Sequence, residues 1–140
     1  MHKRALLAGI AIWIVGTIVF RLGGPGMVHA PGVTRTIPGY VVNALIAGAV
    51  VQLLFRLLRI PPASWPEAVT LYILPTLLLD AFTTAFFPRT FPNLDVAAAP
   101  TFGGLMLVSI GGAVVSAWLG AYRAVRARTG AHHVVRADLE

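Results

Sequence analysis

The chain has 140 residues, 57% of them hydrophobic and 11% charged, with a formal net charge of +6 and no cysteine. Soluble domains carry roughly a quarter charged residues, so this composition excludes disorder and argues against an ordinary water-soluble globule, while the length sets a limit of one domain. Without cysteine there is no disulfide framework, thiol nucleophile, iron–sulfur cluster or cysteine-ligated zinc.

Four apolar runs follow one another along the chain. The first covers residues 5–22 (ALLAGIAIWIVGTIVFRL), and Thr17 and Arg21 are its clearly polar members. Gly23-Gly24-Pro25-Gly26 is expected to end it, and Pro31-Gly32 and Pro38-Gly39 lead into the second run, residues 38–58. Pro61-Pro62 separates that from the third, residues 65–87, where Ser64 is placed to cap the helix and Pro66 falls in the first turn. Pro88, Pro92 and Pro100 mark the next connection, and the fourth run covers residues 101–122. Each run approaches the ~20 residues that cross a hydrocarbon core as a helix. None alternates with period two, so a barrel is not expected. The expected fold is all-α, a four-helix transmembrane bundle forming a single membrane domain over residues 1–140. A polar tail, residues 123–140, completes it and reads as frayed or partly helical.

His2-Lys3-Arg4, the first apolar run and the triplet Val28-His29-Ala30 loosely imitate a secretory signal. The run is long, however, and Pro31 directly after the triplet is a poor site for cleavage, so the first helix is read as uncleaved.

The positive charge is asymmetric. If the N-terminus is cytoplasmic, Lys3, Arg4, Arg56, Arg59, Arg123, Arg126, Arg128 and Arg136 lie inside, and Arg21, Arg35 and Arg89 outside. That is the positive-inside pattern, and it puts both termini in the cytoplasm. The basic tail is also expected to attract anionic headgroups at ~1 kcal/mol per residue near a surface. Topology and lipid contact therefore account for the charge, and nucleic-acid binding is not expected. The ten arginines against one lysine, with abundant Ala, Gly and Val, suggest a GC-rich bacterial genome and hence an inner-membrane location.

Asp80 is the most informative residue. It lies about four residues outward of the middle of the third run, or roughly 5 Å. A lone charge there costs ~2.5 kcal/mol or more on insertion scales, so the group is expected to be protonated, hydrated or paired. Tyr72, Thr76, Asp80, Thr83 and Thr84 fall within about 120° of a helical wheel, a polar stripe turned to the bundle interior. Pro75 interrupts the same helix. Arg21 continues a stripe of Gly9, Trp13 and Thr17, and an arginine side chain can reach down to the depth of Asp80. The expectation is an Arg21–Asp80 ion pair, with Asn43 or Ser109 adding hydrogen bonds. Such a pair can fix helix register, or it can mark a binding or transport site.

Gln52 sits on the opposite face of the second helix from Asn43 and is read with Gly48 and Arg56. Ser109, Gly112, Ser116 and Gly120 form a small-residue stripe on the fourth helix that serves the bundle or a homodimer seam. Trp65, Trp118 and Tyr122 fit a cytoplasmic aromatic belt, while Trp13 packs inside. In the loop after the third helix, Arg89, Asn93 and Asp95 stand among Phe86, Phe87, Phe91 and Phe102, a tight outer turn or a lid at the mouth of the Asp80 stripe. No P-loop, GxSxG or HExxH occurs, and His132-His133 on a tail offers no fixed geometry for a metal. Neither cofactor nor metal is expected, and an enzyme has no catalytic constellation to rest on.

An Arg-bearing end to the first helix, LLLDAF at Leu77–Phe82, FPNL at Phe91–Leu94 and FGGLM at Phe102–Met106 resemble a family of small, uncharacterised four-helix bacterial membrane proteins, a domain of unknown function. The resemblance implies the four-helix fold and brings no activity. Two functions stay open. One is a small transporter or permease-like protein using Asp80. The other is a non-catalytic membrane subunit or scaffold, partnered by another membrane protein or by copies of itself.

Overall fold

A computed structural model describes residues 2–27 and 33–137, with side chains described for residues 2–24, 26 and 37–127. The chain forms α1 (His2–Met27), α2 (Val33–Leu57), α3 (Trp65–Ala85), the short α4 (Phe87–Thr90) and α5 (Ala99–Ala137), with 3-10 turns at Pro62–Ser64 and Val96–Ala98. No strand occurs among the described residues. Among the described residues, four helices are long and apolar enough to span a membrane. Much of their apolar surface is uncovered: Leu7, Leu22, Leu45 and Leu107 are each more than 60% exposed. That pattern suits contact with lipid rather than water.

Several boundaries depart from the sequence reading. α1 continues through Gly23-Gly24-Pro25-Gly26, since a proline deletes one intrahelical bond and Gly24 is held against Leu94. α2 begins at Val33, so Pro38 lies inside it. α3 stops at Ala85 and the chain turns at Phe86 before α4, an element with no apolar run to announce it. α5 carries on through the expected tail as far as Ala137. Ser64 holds the N-cap position of α3, yet its side chain makes no capping bond. The Val28-His29-Ala30 triplet and the Pro31-Gly32 break lie outside the described residues, as do the side chains of Arg35, Arg128, His132, His133 and Arg136.

α2 closes with a Schellman arrangement: Ile60 N–H donates to Phe55 O at 2.9 Å and Arg59 N–H to Arg56 O at 3.0 Å. The left-handed residue this requires is Arg59, at φ 54°, where glycine would be free of the penalty a Cβ incurs. Ile60, the next residue, is buried, and its carbonyl accepts the Trp65 indole N–H at 3.0 Å. Trp65 is thus a core residue rather than a belt residue, whereas Trp118 and Tyr122 are exposed near the same end.

The helices pair in parallel. α1 packs on α3: His2 meets Glu67 at 3.3 Å near one end, and Trp13 meets Asp80 further along. α2 packs on α5 in the same sense, through Tyr40 to Thr101, Asn43 to Ser109 and Gln52 to Ser116. α3 joins α5, so the cross-section is a square whose fourth side, between α1 and α2, is only sparsely packed among the described residues, with Arg4 Nη1 donating to Leu58 O at 3.4 Å where α2 ends. Two apolar clusters close the ends. One gathers Val51, Phe55, Trp65, Val69 and Ile73 with Ala113 and Ala117. The other gathers Phe87, Phe91, Leu94, Ala98 and Phe102, with Phe20 against it.

Candidate functional site

The α2–α5 seam uses its polar groups internally. Asn43 Nδ2 donates to Leu105 O at 3.0 Å and to Ser109 Oγ at 2.5 Å, and Ser109 Oγ donates to Leu105 O at 2.8 Å. Nine residues along α2, Gln52 faces α5 as Asn43 does, not the opposite side as expected: its Nε2 donates to Ser116 Oγ at 2.8 Å, and Ser116 Oγ donates to Gly48 O at 2.9 Å. The small-residue stripe makes this possible, because a Cβ on Gly112 would collide with the Ala44 backbone and one on Gly120 with the Trp65 ring. The stripe is therefore spent inside the chain, in line with packing as the principal attraction between helices in lipid.

Asp80 is paired differently from the expectation. Trp13 Nε1 donates to Asp80 Oδ1 at 3.0 Å, while Arg21 is exposed and forms no ion pair with Asp80. The register explains the exchange. Gly9 lies on the Tyr72 carbonyl and Pro75, since a Cβ there would strike both. This close approach levels Trp13 with the turn N-terminal to Asp80, toward which the Asp80 side chain leans. Arg21 is eight residues beyond Trp13, roughly 12 Å further out. A neutral indole donor also brings no second charge to be desolvated.

The remaining stripe residues divide. Thr76 Oγ1 donates to Ile73 O at 2.6 Å and Thr83 Oγ1 to Asp80 O at 3.0 Å, so both hydroxyls serve their own helix. Thr83 is buried and Thr84 exposed, and neither meets the cavity that Thr76 and Asp80 help to line. Asn43 stands in the α2–α5 seam and also borders that cavity.

The cavity has a volume of about 360 Å³ and lies inside the sparsely packed side of the square. α1 contributes Trp13, Val15, Gly16, Thr17 and Val19, α2 contributes Ile46, Ala47 and Val50, and α3 and α5 form the floor with Tyr72, Thr76, Asp80, Met106 and Ile110. Its volume falls in the lower range of ligand pockets, which run from roughly 300 to 1,000 Å³. The lining is mostly apolar. Among its polar groups, Thr17 and Tyr72 carry hydroxyls that make no hydrogen bond among the described residues, and Trp13 is the one described donor to the Asp80 carboxylate.

The loop beyond α3 covers the end of the bundle away from the N-terminus. Phe87 and Phe91 are buried, and the Phe91 ring lies tilted against Phe102 with ring centroids 4.8 Å apart. Phe20 meets Phe102 edge-on at 5.2 Å, and both rings also line the cavity. Asn93 Nδ2 reaches Phe20 O at 3.5 Å, and Asp95 caps its 3-10 turn by accepting from Ala97 N–H at 2.9 Å. Arg89 is exposed. Of the outer-loop residues, then, Asn93 and Asp95 hold the loop in place, and the phenylalanines do the covering.

Sequence reasoning missed Trp13 as the partner of Asp80. The signal was the Gly9–Trp13–Thr17 stripe, which faces α3 because Gly9 does.

The model of a family of unknown function (DUF5367) matches residues 31–124. That stretch takes in α2, α3, α4 and most of α5, including Asp80. No curated protein and no solved structure matches the chain.

Proposed function

Starting from a chain that belongs to this family of unknown function, we propose a small permease-like membrane protein that receives a small ligand between α1 and α2 and holds it at Asp80. One observation carries the reading: Asp80 borders a cavity and is not sealed off by Arg21. A carboxylate whose task was to lock two helices would be enclosed by its partner. Here the indole of Trp13 orients the group and leaves it facing open space. The lining holds this one carboxylate and no histidine, lysine or arginine, which suits binding and movement better than bond-making. Lys3, Arg4, Arg56, Arg59, Arg123 and Arg126 gather at one end of the bundle, so that end faces the cytoplasm in this reading, within a bacterial inner membrane.

The test is flux. Purified protein in liposomes carrying an imposed membrane potential should move protons or a cation, and Asp80→Asn should abolish the movement. Equal flux in the variant and the wild type would overturn the reading.

The sparsely packed α1–α2 side also favours a second reading, a scaffold in which a helix of another membrane protein fills the gap. A stoichiometric partner that co-purifies in mild detergent, undiminished by Asp80→Asn, would select it.

A further inference from the structure

The geometry points to a lipophilic amine, drawn sideways from the bilayer, as the ligand class of the Asp80 cavity. This inference rests on the cavity-binding reading above and adds both the chemistry of the ligand and its route.

The route follows from which lining residues are open. Val15, Val19 and Ile46 are 53%, 43% and 55% exposed, and they are the exposed members of the lining. All three face outward from the middle of α1 and α2, at the depth of the hydrocarbon. The two ends are shut. Tyr72, Ile73 and Ala113 belong to one buried cluster and Phe102 to the other, and each also borders the cavity. A molecule arriving along the membrane normal would have to push through a packed cluster at either end. One dissolved among the acyl chains meets only the gap beside Gly16, where even an added Cβ would touch nothing within 4 Å.

The class follows from what the cavity offers and lacks. The Asp80 carboxyl is the strongest polar group in the lining, and it has one described donor, a neutral indole. No cationic side chain lines the cavity. An amine brought to Asp80 forms a pair of zero net charge whichever partner holds the proton. It thereby removes the cost of a lone charge at that depth. The hydroxyls of Thr17 and Tyr72 can accept its remaining N–H groups, and the faces of Trp13, Phe20 and Tyr72 favour positive charge over neutral polarity. Asn43, Thr76 and Ser109 also border the cavity, but their donors are used within the chain, and the rest of the lining is aliphatic or aromatic and accepts an apolar body. An anion finds no cationic partner in this lining.

The experiment compares two probes of nearly equal shape, 2-phenylethylamine and propylbenzene, which differ by nitrogen for carbon. Binding is measured by calorimetry to the full chain in lipid nanodiscs, with empty nanodiscs subtracted. The expected result is that the amine binds, Asp80→Asn weakens it at least tenfold, and Gly16→Phe, which fills the gap, abolishes it. Propylbenzene should bind more weakly and be indifferent to Asp80→Asn. If propylbenzene binds as tightly as the amine, or Asp80→Asn leaves the amine unaffected, the amine class is overturned while cavity binding stands. If neither probe binds, or Gly16→Phe changes neither, the cavity reading falls with it. Should Asp80→Asn fail to fold, the two probes on the wild-type protein decide the class alone.

Discussion

The two parallel helix pairs treat polar groups in opposite ways. Between α2 and α5, Asn43, Gln52, Ser109 and Ser116 donate to one another or to backbone carbonyls, and glycine brings the helices into backbone contact. Between α1 and α3 a single indole–carboxylate bond crosses the seam at mid-depth, and the carboxylate borders a cavity. Residues of similar polarity are thus consumed as fastening in one pair and kept available in the other. Polarity inside a membrane helix does not of itself mark function. What separates the two cases is whether the partners within the chain use the group up.

The largest effect that can break this contrast lies in glycine. Gly112→Leu should destabilise the fold by at least about 3 kcal/mol, because the added side chain meets the Ala44 backbone, which cannot give way. Gly16→Leu should leave stability within about 1 kcal/mol. Monodispersity on size-exclusion chromatography and thermal unfolding in detergent compare the two, and equal tolerance would mean the α2–α5 seam is not close-packed.

Next in size, Asn43→Ala should cost about 0.6 to 1.7 kcal/mol in equilibrium unfolding from mixed micelles, the range for hydrogen bonds between membrane helices.

A double-mutant cycle sharpens the other seam. Trp13→Phe and Asp80→Asn should be non-additive by about 0.6 kcal/mol. Arg21→Gln and Asp80→Asn should add to within about 0.5 kcal/mol. Coupling in the second cycle would restore the Arg21–Asp80 pair.

The smallest change is a gain. Arg59→Gly should raise stability by a few tenths to about 1 kcal/mol, by removing a Cβ from a left-handed position. A loss would mean that the arginine side chain contributes more than its backbone costs.

The spans were legible because length and apolarity are local quantities, and helices 38–58 and 65–87 lie within a few residues of α2 and α3. The conspicuous acid Asp80 was legible for the same reason. Its partner was not, because charge suggested Arg21 and the register that selects Trp13 depends on where Gly9 meets Tyr72, a contact between helices 63 residues apart in sequence. The short α4 was hidden as well, since Phe87-Pro88-Arg89-Thr90 has no periodicity to read. The stripe of Ser109, Gly112, Ser116 and Gly120 was visible, but whether it faced α2 or another copy was a question of assembly.

The parallel pairing also sets an order of assembly. A nascent chain delivers α1 and α2 to the bilayer first, and these two helices touch each other only sparsely among the described residues. Each therefore waits in lipid as an independent helix until its partner is synthesised, α3 for α1 and α5 for α2. The bundle becomes a bundle only when its last helix arrives, so a chain interrupted before α5 leaves Asn43 and Gln52 stranded in the membrane, where a quality-control protease can recognise them.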